Sequence, residues 1–211
     1  MEKILLIGAG GHCKVIIDLI KSSTNYEIAG IIENDTSIEN VLGIPRVGYD
    51  DDIYEFYKKG IKNAFVCIGD ITIRTKIFKL LKQMGFLLPT LTHKKSIVSE
   101  FCSLQMGTCI MAGVIINAGS YIGENCIINT RAIIEHDCII GNNTNISPGV
   151  SLAGGVKVGE NSYIGLGATV IQQVDIENNV FIGAGAVVVN NIPQNTVAYG
   201  VPCKIIKKNK K

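Results

Sequence analysis

Apolar residues follow two different rhythms along this chain. Up to about residue 90, short runs rich in aliphatic and β-branched residues alternate with longer amphipathic ones: "KILLIGAG" leads into "GHCKVIIDLIKSS", then come "YEIAGIIEND", "IPRVG", "DIYEFYKKG", "KNAFVCIGD", "TIRTKIFKLLKQMG" and "FLLPTL". Strand-like runs followed by amphipathic stretches of helical length predict βαβ units on a parallel sheet. From residue 98 an aliphatic residue returns at every sixth position, from Val98, Leu104 and Ile110 to Ile182 and Val188, sixteen times without a gap. Two positions before each stands a small or β-branched residue, from Ser96 and Cys102 to Val180 and Ala186. Strand alternation has a period of two. A period of six, with glycine often following the aliphatic, predicts a parallel β-helix in which three hexapeptides close one triangular coil and both columns point inward.

Composition narrows the function classes. The 211 residues are 47% hydrophobic, enough for two modest domains, and the net charge of +2 creates no field that would favour nucleic acid or a membrane surface as partner. No apolar run approaches the ~20 residues needed to span a bilayer. "MEKILLIGAGGH" reads as a first strand and not as a signal peptide, because glycines interrupt it and no small-residue cleavage site follows. Seven cysteines without a CxxC pair, several inside apolar stretches, predict reduced thiols in a cytoplasmic protein. The basic end "KIIKKNKK" is expected to be a solvated, frayed terminus.

The six-residue register also locates the chemistry. In "AIIEHDCIIGNN" (132–143), His136 stands two after Ile134 and two before Cys138, so it belongs to neither inward column and must project from a corner. Residues eighteen apart lie one coil apart, about 4.8 Å, which stacks Ala118, His136, Gly154, Gln172 and Asn190 on one edge. A base on one rung and an accessible N–H on the next can flank a reacting carbonyl, the first taking a proton and the second meeting the developing oxyanion. Asp137 can fix the ring's tautomer, with Glu135 as a competitor for that part. In the first half "GAGGHC" (8–13) has the form of a dinucleotide turn, except that Cys13 replaces its third glycine. A full dinucleotide site is not expected, but the turn can offer N–H groups and a helix N-terminus to a phosphate; a bare βα turn is the alternative. Glu33 and Asn34 close the second strand, where such residues meet a ribose or base. Arg74 can neutralise a phosphate, although a surface charge is its expected part.

"GAGGH", "TH" before the repeats, "INTRAIIEHDCIIG" and "AYGVPCK" together resemble, in the same order and over nearly the whole chain, the sialic-acid O-acetyltransferase and PglD-like nucleotide-sugar N-acetyltransferase family. The resemblance implies a Rossmann-like domain over residues 1–92 and a left-handed β-helix acetyltransferase domain over 93–211. It implies a homotrimer with acetyl-CoA in the groove between subunits and a nucleotide-linked amino sugar as the acceptor. Carried over residue by residue, it implies His136 as general base tuned by Asp137, Asn129 near the sugar, and Gly154 with its amide on the thioester oxygen. Leu166 and Ala184 are implied for the cofactor, and Gly8, Gly10, Gly11, His12, Glu33, Asn34 and Gly69 for the nucleotide sugar. Asn145 stands where the family commonly has a second histidine that contacts acetyl-CoA, and its amide can donate a similar hydrogen bond.

These readings converge on acetyl transfer to a 4-amino-4,6-dideoxy sugar, expected to be UDP-linked, for surface glycan or glycoprotein synthesis, with no metal, no nucleic acid and no membrane insertion. O-acetylation of sialic acid or another sugar needs the same base, and the residues do not separate amine from hydroxyl. A zinc β-helix of the carbonic anhydrase kind needs three histidine ligands on the repeats, where only His136 is available beyond the boundary residue His93. A non-catalytic nucleotide-sugar scaffold would need neither the outward His-Asp pair nor the glycine one rung away.

Overall fold

The computed structural model describes residues 1–209 and divides into two compact units, Met1–His93 and Lys94–Lys211. In the first, β1 (Glu2–Ile7) leads to α1 (Gly11–Ser23) and β2 (Tyr26–Ile32), followed by β3 (Asn40–Val41), β4 (Ile44–Gly48), α2 (Ile53–Lys58), β5 (Asn63–Val66) and α3 (Ile71–Gln83). The sheet order is β3-β4-β2-β1-β5, with β1 parallel to both β2 and β5 and only the β3–β4 pair antiparallel. Ile4, Leu5, Leu6 and Ile7 are all buried, as a central parallel strand covered on both faces requires. The helices are amphipathic in the expected register: α1 buries Cys13, Ile16, Ile17, Leu19 and Ile20. Because β2 and β5 lie on opposite sides of β1, a crevice opens at the carboxyl ends of these strands, the usual ligand position in such sheets. "FLLPTL" is less regular than the rest, contributing a bridge from Leu87 to Asn63 and the pair Leu91–Thr92.

The second unit is the left-handed β-helix. Its strands are two residues long, from Ile97–Val98 to Val187–Val188, and each pairs in parallel with the strand eighteen residues away, as Ile115 with Ile133 and Ile133 with Ser151. Both inward columns are buried from Thr108 and Ile110 onward; Val98 and Leu104 are only half-buried, being on a coil with a neighbouring coil on one side.

A third column completes the geometry. Every sixth residue from Gly107 to Gly185 has a φ between +56° and +76°. Ten of these corners hold glycine or asparagine beyond Gly107, which tolerate the left-handed conformation, and the exceptions are Arg131, Asp137 and Gln173. The basic end departs from expectation. Lys204–Lys208 is a strand, antiparallel to Thr196–Tyr199, so its backbone is held by a ladder although all five side chains are exposed. Lysine-rich composition describes those side chains and conceals the pairing of the main chain. Residues 210–211 of that stretch lie outside the described residues.

Candidate active site

His136 and Asp137 project from one corner of the β-helix, their side chains 65% and 71% exposed. Nδ1 of His136 lies 2.8 Å from Oδ2 of Asp137. A carboxylate only accepts, so Nδ1 carries the proton and Nε2 presents its lone pair outward. Asp137 itself sits in the left-handed region at φ +58°. Glu135, the competitor, is engaged elsewhere: its Oε2 accepts from Nδ2 of Asn117 at 2.8 Å.

Gly154 lies directly against the ring. A Cβ there would come within 2.6 Å of both Cε1 and Nε2 of His136, so any side chain would block the basic nitrogen. Among the described residues, the N–H of Gly154 donates to no group of the chain, whereas that of Gly155 donates to the carbonyl of His136 at 2.9 Å. The corner therefore offers an unobstructed acceptor and an uncommitted donor side by side. This is the pair that acyl transfer needs, one group for the proton and one for the oxyanion. The cysteines nearest in register, Cys126 and Cys138, point inward and are buried, so neither thiol shares the corner.

The other residues expected around the cofactor are distributed over the coil. Leu166 and Ala184 are exposed, one coil apart, on the corner at the far edge of the face that holds Ile133–Ile134 and Ser151–Leu152. Asn129 belongs to that same edge, and its Oδ1 accepts from the N–H of Thr130 at 2.8 Å. Asn145 is on a different face, in the strand that pairs with Ile127–Ile128, buried and with no partner for its Oδ1.

In the first unit, all seven residues expected around a nucleotide sugar line one cavity of about 570 Å³: Gly8, Gly10, Gly11, His12, Glu33, Asn34 and Gly69. Its size is ordinary for a ligand site. Gly8 must be glycine, since φ is +99° and a Cβ would meet Cγ1 of Ile68 at 2.5 Å. Gly10, Gly11 and Gly69 have nothing within 4 Å of the place a Cβ would take, so the space over the turn is open. Gly10 caps α1 without a side-chain bond, and its carbonyl accepts from the N–H of Cys13 at 3.0 Å, so the N-terminus of the helix lies at that space. Glu33 ties the turn down: Oε2 accepts from the N–H of Ala9 at 2.8 Å, and Oε1 from those of Asn34 and Asp35 at 2.8 and 3.0 Å.

Four features in and beside this cavity were not expected. Asp50 lines it, clasped to Asn34 by two hydrogen bonds of 2.8 and 3.1 Å. Arg74 is not a surface charge; it is 1% exposed, and its Nη1 donates to the carbonyls of Ile68 and Gly69 at 3.2 and 2.8 Å, fixing the loop that carries Gly69. Burial, reinforced by Arg74, lowers the pKa of His12 to about 4, so the ring is neutral around pH 7. Cys13, in place of the third glycine, meets the Cys67 thiol, and that hydrogen bond holds its own thiol below the usual range. Among the described residues there is no group of three or more His, Cys, Asp or Glu placed to hold a metal ion, and no helix is long and apolar enough to cross a membrane.

Comparison with known proteins gives a consistent result. Residues 3–81 match the PglD N-terminal domain, and residues 119–154 and 137–172 match the bacterial transferase hexapeptide (six repeats). The chain is 39% identical to a mutant GDP-perosamine N-acetyl transferase from Caulobacter crescentus, solved in complex with CoA and GDP-perosamine, with a TM-score of 0.95 over 99% of this chain and 98% of that one. It is 34% identical to the acetyltransferase domain of PglB from Neisseria gonorrhoeae FA1090, with a TM-score of 0.93 over 98% of this chain and all of that one. WeeI from Acinetobacter baumannii AYE, at 21% identity and a TM-score of 0.86 over 98% of this chain and 100% of that one, shares the fold.

Proposed function

Because the chain belongs to the PglD-like nucleotide-sugar N-acetyltransferases with hexapeptide repeats, we propose that it transfers acetyl from acetyl-CoA to the amine of a nucleoside-diphosphate-linked 4-amino-4,6-dideoxy sugar. The observation that carries this reading is the corner itself: a base oriented by Asp137, with the uncommitted N–H of Gly154 against it. Acetyl-CoA supplies the acyl group as a thioester. Nε2 of His136 takes the proton that the amine sheds as its nitrogen bonds to the carbonyl carbon, and the N–H of Gly154 meets the charge that develops on the oxygen. Transfer is direct: the C–S bond breaks, and the departing thiolate takes up the proton held on Nε2 of His136, so that CoA leaves as the thiol and the base is restored. Leu166 and Ala184 flank the cofactor on the other edge of the face, and the copies assemble as a homotrimer.

For the acceptor, the cavity of the first unit takes the nucleotide, its diphosphate over the open turn at Gly10 and Gly11. The similarity to an enzyme solved with GDP-perosamine favours GDP over the UDP expected from sequence. Asp50 supports guanine: it lines the cavity with Ile68, Ile73 and Ile77, its carboxylate keeps lone pairs beyond the one that Asn34 uses, and guanine presents two adjacent donors where uracil presents one. The test is CoA-thiol release from acetyl-CoA with GDP-, UDP- and dTDP-linked 4-amino sugars. The expected result is turnover on the GDP-linked sugar in preference to the others; preference for UDP would reverse the nucleotide assignment, and silence on every amino sugar would contradict the activity.

A further inference from the structure

Two corners of the β-helix treat their left-handed residues differently. At one, Asn125, Asn143, Asn161 and Asn179 stack with φ between +56° and +61°, and the amides link rung to rung: Nδ2 of Asn125 donates to Oδ1 of Asn143 at 2.9 Å, and Nδ2 of Asn143 to Oδ1 of Asn161 at 3.1 Å. Each side chain is thereby committed along the stack. Asp137 occupies the equivalent place at the neighbouring corner with the same backbone, φ +58°, but its rung neighbours are Gly119 and Gly155. Its carboxylate turns sideways to His136 instead.

The two glycines are not equivalent. A Cβ on Gly119 would overlap Oδ1 of Asp137, with Cγ at 3.4 Å, whereas a Cβ on Gly155 would meet only Cγ of Gln173 at 3.5 Å, an ordinary contact. We propose that Gly119 is a positioning residue for the His136–Asp137 pair: the missing side chain leaves the carboxylate the space it occupies while bonded to the ring, and keeps it out of an amide stack. The inference rests on the proposed role of His136 and goes beyond it, since Gly119 touches neither the ring nor a reacting atom.

The decisive variant is Gly119→Asn. Asparagine holds this backbone at the sister corner, and at position 119 its Cβ would take the place of Oδ1, so the carboxylate that bonds the ring through Oδ2 would have to shift. Displacing an orienting group by about 1 Å can cost up to about 10²-fold in rate. The expected result is a kcat lowered by the same factor as in Asp137→Ala, KM for acetyl-CoA unchanged, and a Gly119→Asn/Asp137→Ala double variant no slower than Asp137→Ala alone. Gly155→Asn, at the same corner and a similar φ of +68°, should retain kcat. A Gly119→Asn enzyme with wild-type kcat, multiplying losses in the double variant, or an equal loss in Gly155→Asn would overturn the proposal. If Gly119→Asn does not fold, the double variant should, since it lacks the carboxylate that the new side chain meets; a double variant equally unfolded also overturns it. Wild-type turnover in His136→Ala would instead remove the underlying reading, so the two failures are distinguishable.

Discussion

At His12, burial and a neighbouring charge act in the same direction. The unfolded chain takes up a proton on this ring near pH 6.5, while the folded protein refuses it until about pH 4. Between those values the unfolded state binds more protons, so stability falls as pH drops through this window, by about 2 kcal/mol at pH 5 and up to about 3 kcal/mol in all. Above about pH 7.5 the ring contributes almost nothing to the pH dependence. The urea midpoint is therefore expected to fall between pH 7 and pH 5 in the wild type and to fall much less in His12→Asn; identical slopes would contradict the assignment. Of the seven turn and strand-end residues of this cavity, the glycine turn and the strand end at Glu33 and Asn34 were readable from the pattern, whereas His12 and Gly69 came with the family resemblance. Asp50 and Arg74 were not. One reaches the cavity from a segment far along the chain, and the other is a charge whose burial depends on two carbonyls that only the folded loop brings to it.

The corners show how an element can be legible in its path and illegible in its details. Six-residue periodicity determines which residues point inward, and from that alone His136 could be placed on a corner with Gly154 one rung away. Which carboxylate meets the ring does not follow from periodicity: Glu135 and Asp137 flank it equally in sequence, and in the fold Glu135 is taken by Asn117 one rung away while Asp137 bonds the ring. The asparagine stack makes the cost of such corners measurable. Asn143 both accepts from Asn125 and donates to Asn161 while holding φ at +61°. Asn143→Ala removes both hydrogen bonds and places a Cβ residue without a local amide in the left-handed region. The expected loss is roughly 2 kcal/mol, from about 1 for the backbone and the remainder for partly exposed hydrogen bonds. Asn143→Gly, which loses the same hydrogen bonds but keeps the backbone at ease, should lower the thermal midpoint less than Asn143→Ala; the reverse order would contradict the backbone contribution.

On the scale of the whole molecule, each unit carries one part of the proposed chemistry: an open glycine turn in a cavity, and an outward imidazole on a β-helix corner. The second unit also exposes Tyr121 and Ile139 on successive rungs of one face, with Ile97 and Phe181 on the other two faces and Leu166 at a corner. Light scattering is expected to give three times the chain mass of 22.7 kDa; a stable monomer at micromolar concentration would contradict the trimer. The central claim is that the outward imidazole at the His136–Asp137 corner is the base of the acetyl transfer, and steady-state kinetics of His136→Ala on the preferred amino sugar test it most directly. General base catalysis predicts a kcat lowered by roughly 10²- to 10⁴-fold with KM for both substrates little changed. A variant that turns over at the wild-type rate would contradict it.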